Sequence, residues 1–215
     1  MGRQQQAASG LNHRFIHFGK LILVLAIFGS ISLIVVSSST LAAKSHMASG
    51  GNSTPLIHLP YFANEVLLSQ RAIFWFGDLS NTNNYADVRV GYNDENIVVQ
   101  IPVFDRLLYF DNTPTVAELE DWDSVSLYLN LDGAVGNAPT TASYWFIGQH
   151  NKSQGSTTHY GVYRGNGTNW VQDSISFSLG SGTQASGFND QTNDRGYWVS
   201  FVIPFDSLGL AGKPE

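Results

Sequence analysis

The stretch that decides the fold is residues 86–105, ADVRVGYNDENIVVQIPVFD. Its first half alternates, so Val88, Val90 and Tyr92 share one face of an extended segment and Arg89 lies on the other. The run Asn-Asp-Glu-Asn that follows is a turn signal, and a second apolar run comes directly after it. The stretch therefore predicts two antiparallel strands joined as a hairpin.

The same kind of pattern continues on both sides of this hairpin. Short apolar or alternating segments are separated by clusters of Gly, Asn and Asp, a spacing typical of β-sandwiches. In SVSLYLNL at 124–131 the apolar residues share one face, and the Ser, Tyr and Asn residues share the other. The sequence thus predicts an all-β fold, an antiparallel β-sandwich of the jelly-roll or immunoglobulin-like kind. The predicted strands are 72–76, 86–92, 97–104, 124–131, 142–148, 159–164, 173–177 and 197–203.

Residues 1–43 predict an export signal. They contain no acidic residue, and the apolar run LILVLAIFGSISLIVV follows Arg14 and Lys20 and precedes small residues. A basic start, an apolar centre and a small-residue end are the parts of a signal peptide, with an uncleaved membrane anchor as the alternative. The predicted location is therefore secreted, extracellular or at the cell surface, and this segment is the predicted route to any membrane contact.

The rest of the chain divides into a linker and a domain. Residues 44–64 begin with a run rich in Gly and Ser and predict a flexible linker, whose apolar end at 57–62 could pack as an edge segment. Residues 65–215 predict the sandwich domain. Few residues remain after the strand at 197–203 to cover a sheet edge, so the sequence favours a C-terminally truncated sandwich.

The composition argues against several classes of function. The chain has 17 Asp and Glu against 11 Lys and Arg, a net charge of −6, which disfavours nucleic acid as a partner. It contains no cysteine, so disulfides, thiolate zinc sites and cysteine nucleophiles are excluded. No Gly-x-Ser-x-Gly, His-Glu-x-x-His or phosphate-loop motif occurs. The sequence therefore predicts no enzyme activity in this segment, and leaves a downstream catalytic domain open.

Three segments, in order, resemble the family 9 carbohydrate-binding modules and their relatives. They are the hairpin at 86–105, Trp122 with the Asp-Ser-Val that follows it, and GYWVSFVIPFDSLGL at 196–210. The resemblance covers over half of the chain. It implies a β-sandwich that grips sugar between tryptophan rings and often holds structural calcium. By the same resemblance, Ser126 stands where the family has a glutamate that hydrogen-bonds sugar.

Four residues are candidates for ligand binding: Trp122, Ser126, Tyr128 and Trp170. Trp122 enters a strand between two aspartates, and Trp170 follows a Gly-Asn-Gly-Thr-Asn turn, so both rings could be exposed. Trp75 and Trp145 lie in apolar runs and are expected in the core, whereas Trp198 is assigned to neither face.

The sequence leaves metal binding undecided. Seven aspartates lie near predicted strand ends, and oxygen-rich loops of this kind can hold Ca²⁺. The alternative is that these side chains accept backbone amides in turns. Structural calcium is therefore one of two interpretations of these aspartates, and no other cofactor is predicted. The aspartates are Asp78, Asp87, Asp105, Asp111, Asp121, Asp123 and Asp132.

The leading hypothesis is a non-catalytic carbohydrate-binding module of an exported protein, which binds a polysaccharide or oligosaccharide through exposed aromatic rings. The alternative is a structural or protein-interaction module at the cell surface that does not bind sugar. An aromatic platform beside polar groups would favour the first hypothesis. Five buried tryptophans would favour the second.

Overall fold

A computed structural model describes residues 58–77, 84–133, 138–150, 159–185 and 187–214, together with the backbone of two N-terminal strands. No helix within these regions is long and apolar enough to cross a membrane. Their 3-10 helices are Leu68–Gln70, Val116–Asp121 and Asp206–Leu208. Their strands are β1 (Ile22–Phe28), β2 (Ser30–Val35), β3 (Ala72–Gly77), β4 (Tyr85–Tyr92), β5 (Asn96–Phe104), β6 (Ser124–Asn130), β7 (Ser143–Gln149), β8 (Tyr160–Gly165), β9 (Trp170–Asp173), β10 (Ser178–Thr183) and β11 (Tyr197–Pro204).

The strands form two sheets. The first sheet has the order β2-β1-β6-β7-β8-β9, and the second has the order β10-β11-β5-β4-β3. All neighbouring strands pair antiparallel except β1 and β6, which pair in parallel. The predicted all-β sandwich is confirmed, and so is the hairpin at its centre, since β4 and β5 pair across the turn at 93–95.

The core lies between the inner faces of the two sheets. Alternation on β4 puts Val88 and Val90 inside, and alternation on β6 does the same for Val125, Leu127 and Leu129. These positions are those that the period of two predicted. Each fully buried aliphatic side chain contributes about 1.5–3 kcal/mol relative to an exposed one. The alternation therefore fixes which residues of each strand are left for the outer faces.

Most predicted strands are found within two residues of their predicted ends, but the segment at 173–177 is wrong. The chain reverses direction after β8 and forms β9, which ends at Asp173. The carboxylate of Asp173 accepts the N–H of Ser174. Residues 174–177 then cross from the first sheet to the second, and their apolar side chains Ile175 and Phe177 pack against the core during the crossing. The sequence missed β10 because its SLGSGT has few residues of high β propensity.

The N-terminal part of the chain is described in two pieces. The backbone of β1 and β2 forms a hairpin at the edge of the first sheet. This segment lies within the predicted export signal, and the signal stays a prediction. Residues 58–64 close the predicted linker, and Leu59 is buried while Tyr61 bridges to Tyr92 of β4, as an edge segment would. The rest of the predicted linker, 44–57, lies outside the described residues.

Gly165 is needed where the loop at 139–140 crosses the outer face of β8. A Cβ at this position would overlap the carbonyl oxygen of Thr140 and lie 2.7 Å from the Cβ of Pro139. We expect Gly165→Ala to lower the free energy of unfolding by about 1–3 kcal/mol, because the obstacle is partly backbone. Gly180→Ala is the matched control, since its Cβ would sit 3.4 Å from Trp198 in ordinary contact. Urea denaturation of both variants tests this, and equal stabilities would contradict it.

Candidate functional site

The outer face of the first sheet carries a row of aromatic side chains. Because Val125, Leu127 and Leu129 point inward, Ser126 and Tyr128 of β6 point outward. The register then places Tyr128 opposite Trp145 of β7, and Trp145 opposite Tyr163 of β8. Three neighbouring strands thus present three rings side by side.

These rings are in contact with one another and with a fourth ring. Tyr128 stacks on Trp145 with ring centroids 5.5 Å apart, and Trp145 stacks on Tyr163 at 4.6 Å. Trp170 of β9 meets the row at steep angles, with its centroid 5.5 Å from that of Tyr128 and 6.0 Å from that of Trp145. We call these four residues, Tyr128, Trp145, Tyr163 and Trp170, the ring cluster. Each contact adds about 0.5–1.5 kcal/mol beyond area burial, so the rings hold one another in place.

Trp170 lies on β9, at the edge of the first sheet, opposite Gly165 of β8. Its indole nevertheless contacts rings from β6 and β7, Tyr128 and Trp145. All four rings of the cluster remain partly exposed. The row and Trp170 therefore form two sides of a corner that is open to solvent.

Polar groups border the ring cluster. The indole Nε1 of Trp145 donates a hydrogen bond to the Oγ of Ser126 at 3.0 Å. On the side toward the β6–β7 connection, the Oγ1 of Thr140 donates to the Oδ2 of Asp132 at 2.7 Å and lies 3.2 Å from the Oγ of Ser143. Partly exposed rings are therefore flanked by fixed hydroxyl and carboxylate groups, the combination found in small-molecule sites.

The phenols of the ring cluster are held in the protonated form. Burial is the main cause that raises the pKa of Tyr128 above its ordinary value of 10.0, and the carboxylate of Glu120 adds to the shift. Burial and then Glu120 also raise the pKa of Tyr163. Glu120 therefore lies near both phenols, at the end of the 3-10 helix Val116–Asp121. The site therefore offers two phenol hydroxyls with the side chain of Glu120 nearby.

Three of the four sequence-predicted residues come together here. Ser126, Tyr128 and Trp170 belong to the site, whereas no ring contact joins the half-buried Trp122 to the ring cluster within the described part of the chain. The sequence missed Tyr163 and expected Trp145 in the core, which is wrong. The signal was present, since Tyr144 and Phe146 on either side of Trp145 are the residues that alternation puts inside. Trp75 was also expected in the core and is 52% exposed.

A group of acidic side chains lies beneath the loop that follows β5. Asp105, Asp123 and Asp194 accept the backbone N–H groups of residues 107, 109 and 108, at 3.1, 2.6 and 3.1 Å. Among the described residues, no group of three or more His, Cys, Asp and Glu side chains is placed to hold a metal ion. These carboxylates therefore fix the loop as amide acceptors. Structural calcium stays a prediction, and Asp78 lies outside the described residues.

Comparisons with known proteins find similarity to solved structures. No protein-family model matches the chain, and no curated protein matches it. A family 9 carbohydrate-binding module from Caldicellulosiruptor kristjanssonii, in complex with cellotriose, is 14% identical over 73% of this chain and 68% of its own, with a TM-score of 0.42. A proposed carbohydrate-binding protein from Bacteroides uniformis ATCC 8492 is 10% identical over 59% of this chain, with a TM-score of 0.41, and the chain spans 55% of that protein's length. A family 9 module is thus among the structures to which the chain is similar.

Asp123 predicts a pH dependence of stability. Burial raises the pKa of this carboxyl from its ordinary value of 3.8 to about 7, and the hydrogen bond from Tyr109 opposes the shift while Asp105 and Asp194 add to it. Between about pH 4 and pH 7 the folded state binds the proton of Asp123 more tightly than the unfolded state does. The contribution of Asp123 to stability is therefore complete below about pH 4 and decreases as the pH rises to about 7.

We therefore expect the unfolding free energy of Asp123→Asn to decrease less between about pH 4 and pH 7 than that of the unsubstituted protein. The asparagine keeps an oxygen that accepts the N–H of Tyr109. Urea denaturation across this range measures it. Asp121→Asn, an exposed neighbour, is the control and should follow the unsubstituted protein. An Asp123→Asn profile parallel to that of the unsubstituted protein would show that this carboxyl titrates normally.

Proposed function

We propose that this chain is a non-catalytic carbohydrate-binding module that holds glycan at the ring cluster of the first sheet. The observation that carries the proposal is the corner formed by Tyr128, Trp145 and Tyr163 on one side and Trp170 on the other. The rings are rigid because they stack on each other, and they stay partly exposed. A ligand therefore meets a preformed surface and little ordering entropy is lost on binding.

The chemistry of the site suits a sugar. A pyranose has apolar faces formed by C–H groups and a rim of hydroxyls, so it can pack against a ring and hydrogen-bond at its edge at the same time. The ring cluster supplies partly exposed aromatic surface, and Ser126, Glu120 and the phenols of Tyr128 and Tyr163 lie around it. In this proposal Glu120 accepts hydrogen bonds from sugar hydroxyls. It supplies a carboxylate near Ser126, whose own side chain is uncharged.

The exposure of the tryptophans favours this function over a structural module without a ligand. None of Trp75, Trp122, Trp145, Trp170 and Trp198 is fully buried. Trp145 and Trp198 alternate with core residues of their strands and therefore point outward, whereas a module that used them for core packing alone would point them inward. Indoles kept partly in contact with water on a rigid sheet are typical of binding surfaces.

Substitution of Trp170 tests the proposal. We expect Trp170→Ala to weaken binding at the ring cluster at least tenfold, about 1.4 kcal/mol, because it removes one side of the corner. The full chain is titrated with cello-, xylo-, manno- and chito-trioses while its tryptophan fluorescence is followed. Val171→Ala is the control, since the adjacent side chain is 50% exposed and points to the opposite face of β9. A folded protein that responds to no sugar, or unchanged affinity in Trp170→Ala, would contradict the proposal.

Trp122 remains a proposed ligand contact outside the ring cluster. The same titration with Trp122→Ala tells whether bound glycan extends as far as the entry to β6. A loss of affinity smaller than that of Trp170→Ala is expected, because among the described residues Trp122 makes no ring contact with the ring cluster. A loss larger than that of Trp170→Ala would move the centre of the site to the loop before β6.

Export and calcium are further parts of the proposed function. We propose that residues 1–43 direct the chain out of the cell, where polysaccharide is available as a ligand. Calcium is proposed as a structural ion of the folded domain. A rise in the melting temperature when Ca²⁺ replaces EDTA, at equal ionic strength, is the expected result, because an ion that binds the folded state alone stabilises it. An unchanged melting temperature at millimolar Ca²⁺ would exclude a structural calcium ion.

A further inference from the structure

The outer face of the second sheet carries its own aromatic side chains. Inward residues of β3, β4, β5 and β11 alternate with Trp75, Tyr85, Phe104 and Trp198, which therefore point away from the core. Trp198 lies flat over the glycines of β10. In the sheet order, three interstrand spacings separate β3 from β11, about 14 Å. Rings are thus spread across four strands of one flat face.

The rings at the β3 edge of this face are exposed and in contact. Tyr85 and Phe104 stack with centroids 4.3 Å apart, and Trp75 lies 6.2 Å from Tyr85. Trp75 is 52% exposed, Phe104 is 38% exposed and the neighbouring Ile73 is 48% exposed. We call Trp75, Tyr85 and Phe104 the second ring surface. Large apolar side chains clustered in this way on the outside of a domain mark a binding surface more often than not.

A charged pair is fixed beside the second ring surface. Asp87 is the cross-strand partner of Trp75, and it is 1% exposed although it points outward. The Nε of Arg89 donates to both carboxylate oxygens of Asp87 at 3.1 Å, and its Nη2 donates to Oδ2 at 2.6 Å. A guanidinium has five N–H donors in a fixed plane, and the side chain of Arg89 is 31% exposed. The pair is neutral overall and offers hydrogen-bonding groups in a rigid orientation next to Trp75.

We propose that the second ring surface is a second carbohydrate-binding site, centred on Trp75, and that the chain bridges two glycan chains. Binding at Trp75 does not depend on the ring cluster, whereas bridging rests on the function proposed for that cluster. The backbones of packed sheets lie about 10 Å apart, and the two sites face opposite directions. One extended polysaccharide cannot contact both faces, so two separate chains are joined.

The chemistry of the second ring surface favours an uncharged polyhydroxyl ligand. Arg89 is neutralised by Asp87, and the chain has a net charge of −6, so polyanions such as nucleic acid gain no attraction here. Trp75, Tyr85 and Phe104 are in contact at the β3 edge, and the exposed indole of Trp75 lies opposite Asp87 of the charged pair. Flat rings beside fixed donors match a row of sugar units, each with an apolar face and a hydroxyl rim.

Binding stoichiometry and bridging test this proposal together. The full chain is titrated calorimetrically with the triose that gives the strongest fluorescence response, and is mixed with the corresponding soluble polysaccharide while light scattering is recorded. We expect two sites for the unsubstituted chain and one site for Trp75→Ala. We also expect cross-linking of the polysaccharide to be lost in both Trp75→Ala and Trp170→Ala, each of which retains the other site.

Trp75→Phe and Ile73→Ala separate ring stacking from general apolar contact. Trp75→Phe keeps a ring and should retain the second site with weaker affinity. Ile73→Ala removes an exposed aliphatic side chain from the same face and should retain both sites.

If Trp75→Ala leaves stoichiometry and cross-linking unchanged, the second site is wrong and the ring cluster stands. If Trp75→Ala abolishes all binding and Trp170→Ala has no effect, the second site stands and the function proposed for the ring cluster fails. A concentration-dependent dimer in sedimentation that Trp75→Ala dissolves would assign this face to a second copy of the chain and overturn the proposal.

Discussion

The packing of the two sheets against each other, centred on Phe146 and Phe201, is the constraint on which the rest of the molecule depends. Phe146 comes from β7 and Phe201 from β11, their centroids lie 6.4 Å apart, and Phe177 fills the space beside both. Because successive side chains of a strand point to opposite faces, burial of Phe146 and Phe201 makes the residues next to them in sequence point outward. Trp145 must face outward because Phe146 faces inward, and Ser200 and Val202 must do so because Phe201 faces inward.

Both outer faces of the sandwich are consequences of that alternation, and they resemble each other. On the first sheet, Tyr128, Trp145 and Tyr163 form a stacked row beside Ser126 and Glu120. On the second sheet, Tyr85 and Phe104 stack beside Asp87 and Arg89. In each case rings from neighbouring strands contact one another, and a polar group is fixed next to them by a hydrogen bond within the sheet. A rigid scaffold thus supplies two surfaces without using a long loop.

Glycines of β8 and β10 allow other groups to pack closely against the outer faces of the sheets. Gly165 lets the loop at 139–140 pass over β8. The glycines of β10 have the same role for Trp198. The buried carboxylates of Asp105, Asp123 and Asp194 hold the loop after β5 by accepting its amides, at the cost of a raised pKa for Asp123.

Local patterns in the sequence determined the fold class and the faces of the strands, because the period of two and the turn residues act over a few positions. These patterns predict that Val88 and Val90 point inward, that Tyr128 points outward and that a turn follows Tyr92. The same rule applied to Tyr144 and Phe146 places Trp145 outside, although its apolar surroundings suggested the core. The register between strands, which lines up Tyr128, Trp145 and Tyr163, is set by packing between distant parts of the chain. Only the tertiary structure could therefore decide which rings meet, that Trp122 makes no ring contact with them in the described part of the chain, and that Trp75 stands on the opposite face.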